Sequence, residues 1–392
     1  MGHFRPARPL AATRRRAHSG ADGREALARL AWERRSTGCR ASLLSVHPLY
    51  IPSQGSCRLN PRVIVHTPVP ASDESGKLAR DPRSRLQRSL DEGRAVITVE
   101  LAVPATVAHE VVIERARALL RPQIVAVNIT DGLRGRPALS SIAAAAIITH
   151  ADLGVEPILQ LTARSRPRNG LVADLLGASA LGVRNLNCMT GDVPENSTDL
   201  YDVDVFALIE MARAFPAGLG MELLGQAEPF CVGAAWSPFA DDPAYELERL
   251  VRKRAAGAQF VQTQPVFDAR ALAAAVDRMP AALGDLPIIM GLAPVRSSDH
   301  ARRLTGIPGI VIPDRLLDLL DGATSEDDAA ERYWAYLDGE LEWLARNVPL
   351  RGCHLMPIGH SKRSMRQQST FERLYACAIK ITGPSAAAAA AN

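Results

Sequence analysis

Residues 156–191 read Glu156-Pro-Ile-Leu-Gln-Leu-Thr-Ala-Arg-Ser-Arg-Pro-Arg-Asn-Gly-Leu-Val-Ala-Asp-Leu-Leu-Gly-Ala-Ser-Ala-Leu-Gly-Val-Arg-Asn-Leu-Asn-Cys-Met-Thr-Gly191. A short apolar run, Glu156 to Thr162, gives way to an Arg-rich loop. Asn169 to Leu181 then spaces its apolar residues as a helix does, and Asn185 to Gly191 returns to a short apolar run. Strand, crossover helix, strand is the unit of a parallel sheet, because only a crossover can return the chain to the same end.

Working outward, the pattern recurs. Further strands are expected at Ala95 to Leu101, Ile124 to Thr130, Phe230 to Trp236, Gln259 to Pro265, Pro287 to Val295 and Gly352 to Ile358, which makes eight in all. Helices are expected at Thr106 to Leu120, Pro137 to Leu153, Asp204 to Phe215, Pro243 to Ala256, Ala269 to Leu283, Ser298 to Leu304 and Ser361 to Cys377, with further helix between Pro313 and Asn347. Eight such units fit a closed (β/α)8 barrel, a TIM barrel in α/β class, better than an open doubly wound sheet. The barrel domain is expected over residues 81–380, after a disordered basic extension at 1–80 and before a low-complexity tail at 381–392 that holds six consecutive alanines.

Composition bounds the function. The chain has 392 residues, 47% hydrophobic and 22% charged, enough apolar material for a sizeable core. Its formal charge of +4 is unevenly spread. Residues 1–94 hold 18 of the 46 Lys/Arg and 8 of the 42 Asp/Glu, leaving 28 against 34 in the remainder. The acidic remainder has no electrostatic reason to seek nucleic acid. The six cysteines form no C-x-x-C pair and no Cys/His grouping, so neither a metal site nor a disulfide framework is expected. With no apolar run near the ~20 residues of a membrane span and no apolar signal segment, a cytoplasmic location is the default expectation.

A barrel of this kind carries its chemistry at the C-terminal ends of its strands. Polar residues expected there include Glu100, Asn128, Gln160, Thr190 with Asp192, Gln262 with Gln264, and His354. Glu100 sits within Val96-Ile-Thr-Val-Glu-Leu, where apolar neighbours raise a carboxyl toward the proton affinity a general acid needs near neutrality; a structural ion pair is the competing explanation. Thr190-Gly-Asp192 follows a strand directly, with Gly191 permitting close backbone approach and Asp192 aiming an acceptor at the mouth. Buried carboxyls at the ends of the first and fourth strands are expected to face one cavity. A carboxylate with the carboxamide of Gln264 suits the donor and acceptor edge of a pterin or flavin. Arg134 and Arg136 are placed to meet a phosphate or simply to be solvated. His150, His300 and His354 suggest no ligand set, and surface or packing roles are expected for them.

Six ordered stretches resemble the methylenetetrahydrofolate reductase family, in particular the reductase found fused to a homocysteine methyltransferase in some bacteria. They are Val96-Ile-Thr-Val-Glu-Leu, Glu156-Pro-Ile-Leu-Gln-Leu-Thr, the run Asp174 to Asn185, Met189-Thr-Gly-Asp-Val-Pro, the run Ala256 to Asp268, and His354-Leu-Met-Pro. The resemblance covers residues 86–360 and neither end. It implies reduction of 5,10-methylenetetrahydrofolate to 5-methyltetrahydrofolate through FAD, with NAD(P)H as co-substrate. By position it makes Glu100 the general acid and Asp192 the carboxylate that orients folate and tunes the flavin. Gln264 becomes a pterin contact, and Gln160, Thr190, Gly191 and Lys253 become contacts to FAD. The partner implied is a small-molecule folate, and a homo-oligomer is compatible with it. Gln160 stands where many members carry His, and Ser237-Pro-Phe where NADH-using members carry His-Pro-Glu. These departures keep two other readings open: a barrel that handles folate with little or no flavin or in one-carbon transfer, and a non-catalytic accessory subunit.

Overall fold

β1 (Val96–Leu101), β2 (Ile124–Ile129), β3 (Glu156–Thr162), β4 (Asn185–Met189), β5 (Cys231–Trp236), β6 (Phe260–Pro265), β7 (Ile288–Leu292) and β8 (Gly352–Leu355) form a closed barrel in chain order, every neighbouring pair parallel, β8 against β1 included. This is the expected (β/α)8 fold. The structure is a computed structural model and describes residues 81–132, 136–193, 200–358 and 365–383. The expectations for residues 1–80, for Arg134 and for the last nine residues lie outside that set.

The helices follow from local sequence. Those after the strands are α2 (His109–Leu119), α3 (Ser141–His150), α4 (Arg168–Ala180), α5 (Val205–Ala214), α6 (Pro243–Ala255), α7 (Ala269–Asp277), α8 (Ser298–Leu304), α9 (Asp314–Asp321), α10 (Glu326–Asn347) and α11 (Met365–Thr382). Asp204, Asp242 and Asp268 each accept a hydrogen bond from the backbone N–H three residues on, and Ser297 and Ser325 do the same, so these helices start where a short polar side chain satisfies an orphan donor. The strands end one to three residues earlier than the sequence suggested at several places. β4 stops at Met189 and β8 at Leu355, since the residues beyond turn away to build the mouth. α11 runs to Thr382, past the expected domain end at 380.

One element was not foreseen: α1 (Arg85–Asp91), before the first strand. Its Leu86 and Leu90 pack with the inward residues nearest the strand starts, Val96, Ala126, Ile158, Cys231, Phe260 and Ile289, in an apolar layer that seals that end of the barrel. Glu156 accepts from the Arg85 and Leu86 backbone N–H groups at 2.7 and 3.2 Å, tying the first turn of α1 to the start of β3. Outward-facing strand residues such as Val99, Val127, Leu159, Leu161, Leu186 and Val232 join the helix faces in the main core. With one end closed by packing, a ligand can enter only from the other. Among the described residues Cys188, Cys231, Cys353 and Cys377 are buried free thiols. Among the described residues no helix is long and apolar enough to cross a membrane.

Candidate active site

Directly above the apolar layer the barrel interior turns polar. Thr98, Asn128, Asn187, Gln262 and His354 are all buried there, each two residues further along its strand than a residue of the seal or of the same inward face. They hydrogen-bond one another, leaving Asn187 Oδ1 as a buried oxygen without a partner. The Gln262 carbonyl oxygen accepts from the Asn128 and Asn187 amides at 2.6 and 2.8 Å. The Gln262 amide donates to Asn128 Oδ1 at 3.2 Å and to Thr98 Oγ1 at 3.3 Å. Thr98 and His354 are register partners on adjacent parallel strands, and Thr98 Oγ1 lies 2.9 Å from His354 Nδ1.

Glu100 follows Thr98 by two residues, so its side chain enters the barrel one layer higher, at the floor of a cavity of about 1510 Å³. Burial pushes its carboxyl from 4.5 up to about 7, against a hydrogen bond from Gln160 that favours the charged form. His354 Nε2 stands 4.0 Å from Glu100 Oε2. The imidazole itself is neutral: burial takes it down to about 3, against a smaller opposing contribution from the Thr98 carbonyl. Glu100 is therefore a mostly uncharged acid below about pH 7 and about half ionised near it.

The other sequence-derived residues line the same cavity: Gln160, Thr190, Gly191, Asp192, Lys253 and Gln264. The loop after β4 is zipped to the loop after β3, with Ala163 N–H donating to the Met189 carbonyl at 3.0 Å and Arg164 N–H to the Thr190 carbonyl at 2.9 Å. Gly191 makes this approach possible. Its φ is +90°, and a Cβ there would lie 2.8 Å from Thr162 Cβ. Gly309, at φ +79°, lets the stretch before α9 close over the opposite wall, where a Cβ would lie 2.7 Å from Ser237 Oγ and 3.3 Å from Gln264 Cγ.

One expectation is corrected here. Asp192 is exposed, whereas a buried carboxyl was expected at the end of the fourth strand. β4 ends three residues before it, so Asp192 belongs to the rim, in reach of water, while Glu100 sits on the floor. The two share a cavity but not an environment, and only Glu100 has the desolvation an acid needs. Of the surface and packing roles expected for His354, the structure shows the second: it is buried in the polar layer beneath the acid.

Lys253 is nearly fully buried. Its Nζ donates to the Ala235 carbonyl at 2.8 Å and lies 3.1 Å from Glu246 Oε1. Burial lowers its proton affinity and the Glu246 carboxylate works against that shift. Another ion pair that sequence reading missed stiffens the mouth. Arg166 grips Asp131 with both terminal nitrogens, at 2.6 and 2.9 Å, and reaches Asp174 through Nε at 2.9 Å. Burial alone would raise the Asp131 carboxyl, but the Arg166 guanidinium and the Thr162 hydroxyl and N–H together hold it below the ordinary range. The loop ends of β2 and β3 are thereby locked together. Asp131 and Arg166 lie 35 residues apart on different loops, so no local pattern marks them as a pair.

The residues present fit a bound dinucleotide flavin beside a folate. The cavity exceeds the ~300–1,000 Å³ usual for a single small ligand. Gln160 uses part of its amide on Glu100, and Lys253 uses two of three donors, so both retain hydrogen-bonding capacity toward the cavity.

The family model for methylenetetrahydrofolate reductase matches residues 85–366. A probable methylenetetrahydrofolate reductase (NADPH) of Caenorhabditis elegans is 28% identical over 260 residues, which cover 64% of this chain and 38% of that protein. The 5,10-methylenetetrahydrofolate reductase of Escherichia coli K12 is 29% identical over 153 residues, covering 38% of this chain and 47% of that one. The chain thus spans less than half the length of these curated relatives. A solved structure of a protein from Clostridium thermocellum that binds two copies of 5-methyl-5,6,7,8-tetrahydrofolic acid superposes with a TM-score of 0.54 at 14% identity, covering 76% of this chain and 98% of that one. At that identity the likeness is one of fold.

Proposed function

The chain belongs to the methylenetetrahydrofolate reductase family, and from that premise we propose that it reduces 5,10-methylenetetrahydrofolate to 5-methyltetrahydrofolate, with Glu100 as the general acid. The observation that carries this reading is the state of Glu100: a carboxyl on the cavity floor that burial keeps protonated up to about pH 7. In the reaction its proton goes to the ring nitrogen of the substrate whose C–N bond opens, leaving an iminium carbon that accepts a hydride. The addition of one proton and one hydride converts methylene to methyl. The carboxylate left on Glu100 recovers a proton from water at the mouth.

Gln264, which lines the same cavity as the acid, holds the pterin by its amide, and Asp192 at the rim offers an acceptor to the N–H groups of the same heterocycle. Gln160, Thr190, Gly191 and Lys253 hold FAD. When bound, FAD supplies the hydride after reduction by NAD(P)H. The fold neighbour that binds methyltetrahydrofolate supports a folate as the ligand class.

The test uses the full chain, purified without added cofactor. A flavin absorption band that bleaches with NAD(P)H and returns on adding methylenetetrahydrofolate is the expected result. A colourless protein that still binds tetrahydrofolate supports the reading in which folate is handled without flavin, and a protein that binds neither refutes both. Glu100→Gln is expected to lower folate reduction by ~10²- to 10⁴-fold while leaving flavin reduction by NAD(P)H in place.

A further inference from the structure

A buried general acid creates a problem for itself: once it has given up its proton, a carboxylate remains in a site that disfavours charge. Water reaches Glu100 only through the cavity, and a bound substrate displaces that water. Of the polar groups on the strands around it, Asn128, its register partner on β2, is already committed to Gln262. Gln160 on β3 donates one hydrogen bond to the carboxyl. The remaining neighbour is His354 on β8, 4.0 Å away. The charged groups lining the cavity around it are Glu114 and Arg115 of α2, Asp131 and Arg136 after β2, Asp192 after β4, Asp241 before α6, and Glu246, Arg249 and Lys253 of α6. None of these sets its proton affinity, which follows from burial and from Gln160.

Thr98 Oγ1 faces His354 Nδ1, and which of the two donates depends on the tautomer of the ring. Gln262 donates its amide to Thr98 Oγ1 because its carbonyl oxygen is occupied by two asparagine amides. Thr98, accepting from Gln262, still has its hydroxyl proton to give, and His354 Nδ1 lies within reach of it at 2.9 Å. A neutral imidazole that accepts at Nδ1 carries its hydrogen on Nε2. That nitrogen faces Glu100.

We propose that His354 is a positioning residue for the acid: Gln262 and Thr98 fix its ring so that Nε2–H points at Glu100 and, with the Gln160 amide on the other side, receives the carboxylate left behind by proton transfer. The inference rests on the acid role given to Glu100 under the proposed function. The 4.0 Å separation is that of the unliganded site, and such contacts tighten when substrate arrives. His354 neither touches substrate nor moves a proton; a ring charged only at strongly acid pH is unsuited to that, whereas a fixed neutral dipole costs little to bury.

The experiment follows the Glu100 side-chain carboxyl by ¹³C NMR through a pH titration of the full chain, the resonance being identified by its loss in Glu100→Gln. Removing the facing N–H in His354→Leu is expected to raise the Glu100 midpoint by about one pH unit, and Thr98→Val, which frees the ring without emptying the space, to raise it by a smaller amount. His354→Gln, which can present an amide N–H at the same place, restores part of the shift. Because Thr98 acts only through the ring, Thr98→Val combined with His354→Leu shifts the midpoint no further than His354→Leu alone. In folate reduction the same variants lower kcat by ~10-fold or more with KM nearly unchanged.

A Glu100 midpoint that stays put in both His354→Leu and Thr98→Val overturns the proposal, as do shifts that simply add in the double variant. Should His354→Leu fail to fold, Thr98→Val alone decides, since it preserves the side-chain volume. A shifted midpoint in a protein that reduces no folate at all instead overturns the proposed function and leaves the His354 assignment standing.

Discussion

Replacing Glu100 by glutamine is expected to stabilise the protein at alkaline pH while it abolishes most of the activity. The folded carboxyl titrates near 7 and the unfolded one near 4.5. As pH rises through 4.5 the unfolded chain ionises and the folded one does not, so wild-type stability falls from there until about pH 7, where the folded carboxyl ionises as well and the loss is complete. The difference in proton affinity, at about 1.36 kcal/mol per tenfold change, corresponds to about 3 kcal/mol. That is an upper figure, because about one fifth of the side chain, 19%, stays accessible from the cavity. Glutamine keeps the shape and cannot ionise, so its stability curve lacks the step. Denaturant unfolding of both proteins at pH 4, 6 and 8 should show the Gln variant gaining on wild type by 2 to 3 kcal/mol, roughly, across that range. A difference that does not change with pH would mean that Glu100 titrates as an ordinary solvated carboxyl, and the acid assignment would fall with it.

The same titration sets the pH profile of the proposed reaction: kcat/KM for folate should fall above about pH 7 as Glu100 loses its proton, and the alkaline limb should vanish in the residual activity of Glu100→Gln. Arg166→Ala strands the Asp131 carboxyl, 9% exposed at its side chain, beside Thr162, and should cost about 3 kcal/mol of stability in denaturant unfolding; Asp131→Asn with Arg166→Met should recover much of it, since a buried pair is expensive to break but not to replace. Gly191→Ala meets both the +90° backbone angle and the Thr162 side chain, and should lower stability by 1 to 3 kcal/mol, roughly, and loosen flavin retention in gel filtration; an unchanged melting temperature would show that the loop has another way to turn.

How much of this was legible beforehand differs by residue. Glu100 was readable because its signal is local: a carboxyl at the fifth position of a six-residue apolar strand has no local partner, and the desolvation that raises its proton affinity is implied by its neighbours. Gly191 was readable for the same reason, a glycine directly after a strand. Asp192 shows the limit. Its proximity to a strand end was visible, but β4 stops at Met189, and the two residues between decide whether a carboxylate lies on the floor or on the rim. His354 was placed correctly on its strand, but the groups around it were not legible, because Thr98 and Glu100 lie some 250 residues away in sequence.

The amino-acid sequence by itself determined the eight strand–helix units, their parallel order and hence the end of the barrel at which chemistry takes place, because periodicity, caps and loop composition act within a few residues. The tertiary structure alone decided which polar side chains meet inside: register between β8 and β1 sets Thr98 beside His354, and closure of the barrel brings Gln262 of β6 to Thr98 of β1. α1 belongs to the same class. Seven residues with two leucines form no autonomous helix, and only the open end of the finished barrel gives Leu86 and Leu90 an apolar surface to cover.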